Sequence, residues 1–396
     1  MIIELSEHEA RDGVELSAAQ AGLLARTGAV VVRPSTRADG TWLVEARQHV
    51  GVVRAGAIEL RVRPKVPVRR LFEMILETWD IRWRPDIVSA ADAPDVTRAI
   101  VSAFLARTED ALRRGPLVGY VTRDEDSMTL RGRLRLSSQL ARHPGMPVPL
   151  AVRYDELSTD VLANRLVRSA AFRLSFLPGL AGAERVALAR IEAVLAEAAP
   201  LKPGEPFTVP VLRRDQTHYG DALCLAVLVL RHLSIDARIG QINGLSFLLD
   251  MNRLFQEWVT KRLGEPARRA GLAVNAEWKV LLDASAELGG RADVVLTKAG
   301  KPVLVLDVKY KRGPTPADRY QALAYCRALG LGEAHLVRPG SAATTSWDML
   351  PDRVRLVEHE LDLLGSSAAL DERFEQVVGW CSRGPTAGVD RMGGVG

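Results

Sequence analysis

Asp293, Asp307 and Lys309 are the residues whose types and spacing are best suited to chemistry in this chain. Asp293 lies in Arg291-Ala292-Asp293-Val294-Val295-Leu296, and the other two lie in Leu304-Val305-Leu306-Asp307-Val308-Lys309-Tyr310-Lys311. Both stretches read as strands. Alternate residues of a strand share a face, so Asp307 and Lys309 should point one way and Val308 the other. They would stand about 6.6 Å apart, close enough to act on one phosphate. Carboxylates beside an ammonium suit metal-dependent phosphodiester cleavage. The carboxylates would hold Mg²⁺, the metal would lower the pKa of a water, and the lysine would orient that water or offset developing charge.

An amphipathic hairpin with polar ends would carry the same residue types, so the setting matters. The chain has eight lysines against 45 arginines, and Lys298, Lys301, Lys309 and Lys311 fall close together. A solvated charge here is by default Arg, whereas Lys is a compact charge with a tunable pKa. A helix is expected over 248–270, with Met251, Leu254, Phe255, Trp258 and Leu263 at near-helical spacing. An extended segment follows at 274–282, and Gly289-Gly290 reads as a turn. Past Lys311, Gly313-Pro314-Thr315-Pro316 breaks the strand. A helix over 317–329, with Thr315 or Asp318 near its start, and a strand at 334–337 complete the series. This order of helix, three strands, helix and strand resembles the PD-(D/E)xK nuclease core, with Ala292-Asp293 in place of Pro-Asp.

Length and composition bound the rest. At 396 residues the chain is long enough for two or three domains, and 26% charged residues is ordinary for a soluble protein. A net charge of +5 is compatible with nucleic acid without demanding it. Cys224, Cys326 and Cys381 lack metal-ligand spacing and cannot form a full disulfide set, which favours reduced, buried or semi-buried thiols and a cytoplasmic location. The seven histidines are scattered, and His335 reads as a packing residue. The acidic start has no signal-peptide character. The run Ala222–Leu230 falls short of the ~20 apolar residues that span a bilayer, so no membrane association is expected. No Gly-x-x-x-x-Gly-Lys-Ser/Thr motif occurs, so the chain should bind no nucleotide itself.

The first 65 residues look β-rich. Short runs lie at Val30–Arg33, Trp42–Ala46 and Val50–Val53, and Ala57–Arg63 alternates apolar with charged residues. Helices are expected over 68–79 and 95–113. Val118–Arg123 and Thr129–Leu136 read as two strands joined by the acidic loop Asp124-Glu125-Asp126-Ser127, either a solvated hairpin loop or an element that touches a partner. Arg131, Arg133 and Arg135 would share one strand face, a plain exposed surface or one for phosphate or an acidic partner. From Tyr154 the pattern reads as helical, with Ser158 or Thr159 capping a helix to about Phe176, and further helices over 184–198 and 221–233.

Taken in order, these blocks resemble the McrC family, the nuclease subunits of McrBC-type modification-dependent restriction systems. The residues that carry the resemblance are Val50-Gly51-Val52-Val53, Leu60–Pro67, Leu130-Arg131-Gly132-Arg133-Leu134, Tyr154–Asp160 with Asn164-Arg165, Asp250–Phe255, the two aspartate segments, and Tyr320-Gln321-Ala322-Leu323-Ala324-Tyr325. The resemblance implies a mixed α+β or α/β chain in four parts. These are a β-rich N-terminal domain over 1–150 that docks on and stimulates an NTPase partner, a helical platform over 151–245, a PD-(D/E)xK restriction-endonuclease-like core over 246–383, and a flexible Gly-rich tail over 384–396.

The resemblance also implies Mg²⁺ (or Mn²⁺) as cofactor, a McrB-like AAA+ GTPase or ATPase hexamer ring as partner, and double-stranded DNA with modified cytosine as substrate. It adds Gln321 as a residue that orients the site or contacts phosphate, with Tyr310 and Tyr325 as packing residues. Lys311 would share the strand face of Lys309 and could even replace it. Relatives commonly carry a metal-binding Glu where this chain has Gln256. Glu257 could serve through a small helix rotation, Gln256 could offer a neutral oxygen, or the position is no ligand. Glu257 is the favoured third ligand beside Asp293 and Asp307. Two other readings remain: a regulatory subunit of an NTPase ring with a decayed nuclease fold, and a stand-alone repair nuclease.

Overall fold

A computed structural model of the chain describes residues 1–37, 39–79, 96–202, 204–238, 241–283, 285, 288–311, 313–350 and 354–380, with residues 234–238 and 241–245 described by their backbone alone. Cys381 and the tail 384–396 lie outside the described residues. The chain divides into two compact units. The first comprises residues 1–47, 51–63 and 80–248, the second residues 48–50, 64–79 and 249–396.

The N-terminal strands are β1 (Ile2–Ser6), β2 (Ala10–Glu15), β3 (Val30–Pro34), β4 (Thr41–Ala46), β5 (His49–Ala55) and β6 (Ile58–Arg63), with helix α1 (Ala18–Arg26) after β2. Alternation places Ile58, Leu60 and Val62 of β6 in the core, beside Ile3, Leu5 and Leu24. Helix α2 (Val68–Thr78) belongs to the second unit. The first unit continues with α3 (Val96–Leu112), β7 (Gly119–Ser127), β8 (Arg133–Leu134), α4 (Leu136–Arg142), β9 (Leu150–Ser158), α5 (Leu162–Leu174), α6 (Gly182–Val194), α7 (Gly220–His232), β10 (Leu233–Arg238) and β11 (Gln241–Asp250). Its largest sheet runs β1-β6-β5-β11-β10, and two smaller sheets run β2-β4-β3 and β7-β9-β8. Gly51 is required where β5 meets β11: its φ is +139°, and a Cβ there would lie 1.9 Å from the Phe247 carbonyl oxygen.

Three expectations for this unit need correction. The acidic stretch Asp124–Ser127 is strand, not loop, and β7 pairs with β9 rather than with the segment after it. The reason is cross-strand charge. Asp124 accepts two hydrogen bonds from Arg153, at 2.6 and 2.7 Å, and Asp155 accepts one from Thr122. The alternation through Arg131, Arg133 and Arg135 does not give one strand face, because Gly132 has φ +66° and only Arg133–Leu134 pair, while Leu136 opens a helix. Tyr154–Ser158 is strand, and α5 starts at Leu162 without a Ser or Thr side-chain cap. Asn164 at that end is buried and ties Leu117 and Thr159 by their backbone groups.

The second unit holds α8 (Met251–Arg269), β12 (Ala273–Leu281), β13 (Gly289–Lys298), β14 (Lys301–Val308), α9 (Pro316–Ala328), β15 (Glu333–Pro339), β16 (Thr344–Met349), β17 (Val354–Leu361) and α10 (Ser367–Gly379). The expected order of helix, three strands, helix and strand is present. β16, β17 and α10 extend it. One sheet runs β12-β13-β14-β15-β17-β16, antiparallel up to β14, parallel through β15 and β17, and antiparallel at β16. The β13–β14 hairpin turns through Ala299 and Gly300, both with positive φ, as a two-residue type I′ turn requires.

Gly289 and Gly290 are strand residues rather than a turn. A Cβ on Gly290 would meet Tyr325 Oη at 2.4 Å, so the glycine makes room for a ring on α9. α8 begins at Asp250, whose carboxylate caps the amides of Asn252 and Arg253. Among the described residues no helix is long and apolar enough to cross a membrane.

Candidate active site

The apolar run before Asp307 explains its burial. Leu304, Val305, Leu306 and Val308 are all buried in β14, as a strand with neighbours on both sides requires. Asp307 is carried in with them and is 1% exposed. On β13 the register Val294↔Leu306 and Val295↔Val305, continued by one step, sets Asp293 opposite Asp307. The strands part there, and Asp293 Oδ2 accepts the Val308 amide at 2.7 Å in place of a ladder bond. β14 ends at Val308, yet Lys309 turns back over the pair. Its Nζ lies 2.9 Å from Asp307 Oδ1 and 3.4 Å from Asp293 Oδ2. The structure thus brings together the three residues that the sequence singled out.

Burial raises the Asp307 carboxyl to a pKa of about 6; Lys309 opposes the rise and Asp293 adds to it. Burial also raises Asp293, with Lys309 and the Val308 amide opposing it. For Lys309, burial acts to lower the pKa, but the two aspartates outweigh it and the ammonium is held above its ordinary value. Both Asp307 oxygens are buried, and apart from the Lys309 ammonium they meet no donor among the described residues. A buried carboxylate with no donor besides one ion pair is an expensive arrangement unless a cation completes it. The donors are all oxygen, which fits a hard divalent ion such as Mg²⁺. Among the described residues no three Asp, Glu, His or Cys side chains already converge on one point. Mg²⁺ is often held by one or two carboxylates, with water and substrate phosphate making up the rest.

The other candidates sit as follows. Glu257, half-buried on α8, accepts from Arg253 at 2.8 Å. Gln256 reaches β12, where its amide donates to Glu277 at 2.7 Å. Gln321 is exposed on α9 and donates to Tyr325 Oη at 2.9 Å. Lys311 does not share a strand with Lys309, because the chain turns once β14 has ended. It pairs instead with Asp318 at 2.5 Å, so it is not free to replace Lys309. Asp318 and Thr315 form a capping box at the start of α9. Tyr310 and Tyr325 are buried packing residues, Tyr310 against Phe255. His335 is likewise buried, stacked on His359. Cys326 is buried and Cys224 half-buried, and neither forms a disulfide among the described residues.

Sequence reasoning missed Glu277. The β12–β13 ladder has one register on either side, Ala276↔Val294 and Trp278↔Ala292, so Glu277 stands opposite Asp293. Glu277, Asp293 and Asp307 therefore form a row across three adjacent strands. A lone Glu in an extended segment gives no signal of this until the register is known.

A mixed α+β chain with paired carboxylates and a lysine at a strand end is the class that fold and site define. The profile of the family described as "McrBC 5-methylcytosine restriction system component" matches residues 44–339, and the chain belongs to that family. The expected resemblance to McrC is borne out. The fold is similar to a chain in a refined half-complex from a tetradecameric assembly of Thermococcus gammatolerans McrB AAA+ hexamers with bound McrC. The identity is 18%, the TM-score is 0.60, and the match covers 95% of this chain and 99% of that one. A second match, at TM-score 0.43 and 18% identity, is to the McrBC complex of the same organism and covers 67% of this chain and 88% of that one. No curated protein matches the sequence.

Proposed function

We propose that this chain is the DNA-cutting subunit of a McrBC-type restriction system, hydrolysing phosphodiester bonds of double-stranded DNA with Mg²⁺. The observation that carries this reading is Asp307, buried with no donor but the Lys309 ammonium and facing Asp293. Asp293 and Asp307 are assigned to the metal. A bound Mg²⁺ would supply a water of lowered pKa and offset negative charge building on the phosphate. Lys309, kept protonated by both aspartates, holds their charges in place before substrate arrives and orients the attacking water or phosphate oxygen afterwards. Gln321, exposed on α9, is assigned a phosphate contact. Within the family-related half-complex McrC is bound to McrB AAA+ hexamers. We assign this chain a comparable NTPase ring as partner, whose hydrolysis it stimulates.

The partner assignment has support within the first unit. Tyr120, Met128, Leu130, Leu136, Leu140 and Leu157 are all exposed on or beside the β7-β9-β8 sheet. So many large apolar side chains in one part of a surface mark an interaction site more often than chance exposure. The replacement of an acidic residue by Gln256 favours, to a small degree, the second reading of a regulatory subunit with a decayed nuclease. Asp307 argues against it, since a decayed site would be free to lose a buried charge.

The test is cleavage of cytosine-methylated and unmethylated plasmid with Mg²⁺ by wild type and Asp307→Ala, each with and without the NTPase encoded beside it and GTP or ATP. Cutting that needs partner, nucleotide and Asp307 supports the reading. Stimulated NTP hydrolysis by both proteins, with no cutting by either, supports the regulatory subunit. Cutting by wild type alone supports a stand-alone nuclease.

A further inference from the structure

We propose that Glu277 is the third acidic residue of the metal site, a positioning residue that holds the ion's hydration shell and is itself aimed by Gln256. The inference rests on the nuclease reading above. Register puts Glu277 directly opposite Asp293, itself one step from Asp307 in the next strand. Like charges opposite each other destabilise a sheet, so a row of three carboxylates at one level calls for more positive charge than the single Lys309 ammonium supplies. Asp307, at the end of that row, is buried with the Lys309 ammonium as its one donor among the described residues, which leaves room for a divalent ion to complete it.

The local backbone is also unusual. Glu277 has φ +51° within β12, a left-handed conformation that non-glycine residues seldom adopt in a strand and that clusters at functional sites. The conformation opens the ladder at this one residue, while the register resumes unchanged beyond it.

Gln256 gives the arrangement its logic. On α8 this chain presents an amide whose N–H donates to the Glu277 carboxylate at 2.7 Å. A glutamate at 256 would repel Glu277, whereas glutamine binds it. The acid stands on the strand, and the helix residue supports it. Glu257 is already committed to Arg253 at 2.8 Å and has no share in the row. Since the three carboxylates do not converge on one point, Glu277 acts through water rather than by direct ligation. Outer-shell residues of this kind typically change metal affinity by on the order of 10–100-fold.

Mn²⁺ affinity of the full chain, measured by titration calorimetry and by electron paramagnetic resonance, tests this without reference to cleavage. Wild type, Glu277→Gln, Glu257→Gln, Gln256→Ala and Asp307→Asn would be compared, with melting curves to confirm folding. Glu277→Gln is expected to weaken Mn²⁺ about 10-fold or more and Gln256→Ala by a smaller factor. Glu257→Gln should match wild type, and Asp307→Asn should lose binding. Raising Mg²⁺ should restore cleavage to Glu277→Gln, which a folding defect would not allow. If Glu277→Gln binds Mn²⁺ as wild type does while Asp307→Asn does not, Glu277 is excluded and the nuclease reading stands. If Asp307→Asn binds as wild type does, or wild type binds none, both fall.

Discussion

Asp307→Asn removes one charge from a buried site and leaves its shape almost unchanged. Burial raises the Asp307 carboxyl from 3.8 to about 6, so ionising it within the metal-free fold costs about 3 kcal/mol, at 1.36 kcal/mol per pKa unit. The sign follows from linkage. The folded state binds this proton more tightly than the unfolded chain, so wild type loses stability as pH rises from about 4 to 6 and stays level above that. The asparagine variant has no such proton. The two proteins should be equally stable near pH 4, and the variant should be more stable by about 3 kcal/mol at pH 7, or roughly 6–12 °C in melting temperature for a unit of this size. Asp293 titrates in both and largely cancels in the difference. The assay is urea unfolding in chelator at pH 4.5, 6 and 7.5, followed by tryptophan fluorescence. Trp79, Trp258, Trp278, Trp347 and Trp380 all lie in the second unit, so the signal reports mainly on it. Saturating Mn²⁺ should then stabilise wild type and not the variant, by about 2.7 kcal/mol at one hundred times the dissociation constant. Equal stabilities at pH 7.5 in chelator, or a less stable variant, would refute the account of Asp307 as a buried charge awaiting a cation.

Three further outcomes are expected. Lys309→Met should reduce cleavage by on the order of 10²-fold or more and widen the pH-dependent stability loss of the metal-free protein, because both aspartates lose their cation; a plasmid cleavage rate and the same urea series check both. Gly290→Ala should destabilise the second unit by about 1–3 kcal/mol, since its methyl meets the Tyr325 ring; a denaturation midpoint unchanged from wild type would contradict the packing. Asn164→Leu should destabilise the first unit by roughly 2–4 kcal/mol, because the Leu117 amide and carbonyl lose their partner in a buried place; far-UV circular dichroism on heating reads the change.

How much of this was legible in the sequence depended on whether the deciding interaction was local. Thr315, Pro316 and Asp318 announce a helix start by their own side chains, and the helix starts there. The alternation of Ile58–Arg63 and the apolar run before Asp307 reflect burial on one face or both, and both formed strands. Asp124–Ser127 read as a loop because its basic partner Arg153 lies 29 residues away, and only β9 turns that acidic run into a strand. Gly289-Gly290 read as a turn because the ring that demands the glycine comes from α9. In the site, Asp307 and Lys309 are near neighbours and could be seen together. Glu277 could not, because its meaning depends on which residue of β13 it faces. The distinction between Glu257 and Gln256 turned on their partners, Arg253 and Glu277, which helical periodicity does not reveal.

Helix α2 belongs with partners encoded far downstream. Its Arg70 reaches the backbone carbonyls of Leu363 and Gly365, the latter 295 residues away, and its Glu77 accepts from Trp258 and Arg262. During synthesis at about 5–20 residues per second, the ribosome needs roughly 15–60 s to cover that distance. Leu71, Phe72, Met74, Ile75 and Leu76, all buried in the finished fold, likewise leave the ribosome well before α8, which packs on their helix. The nascent chain therefore carries an uncovered apolar stripe at least until α8, which packs on α2, has been made, and a chaperone that holds such stripes should bind it there and release it only after that point.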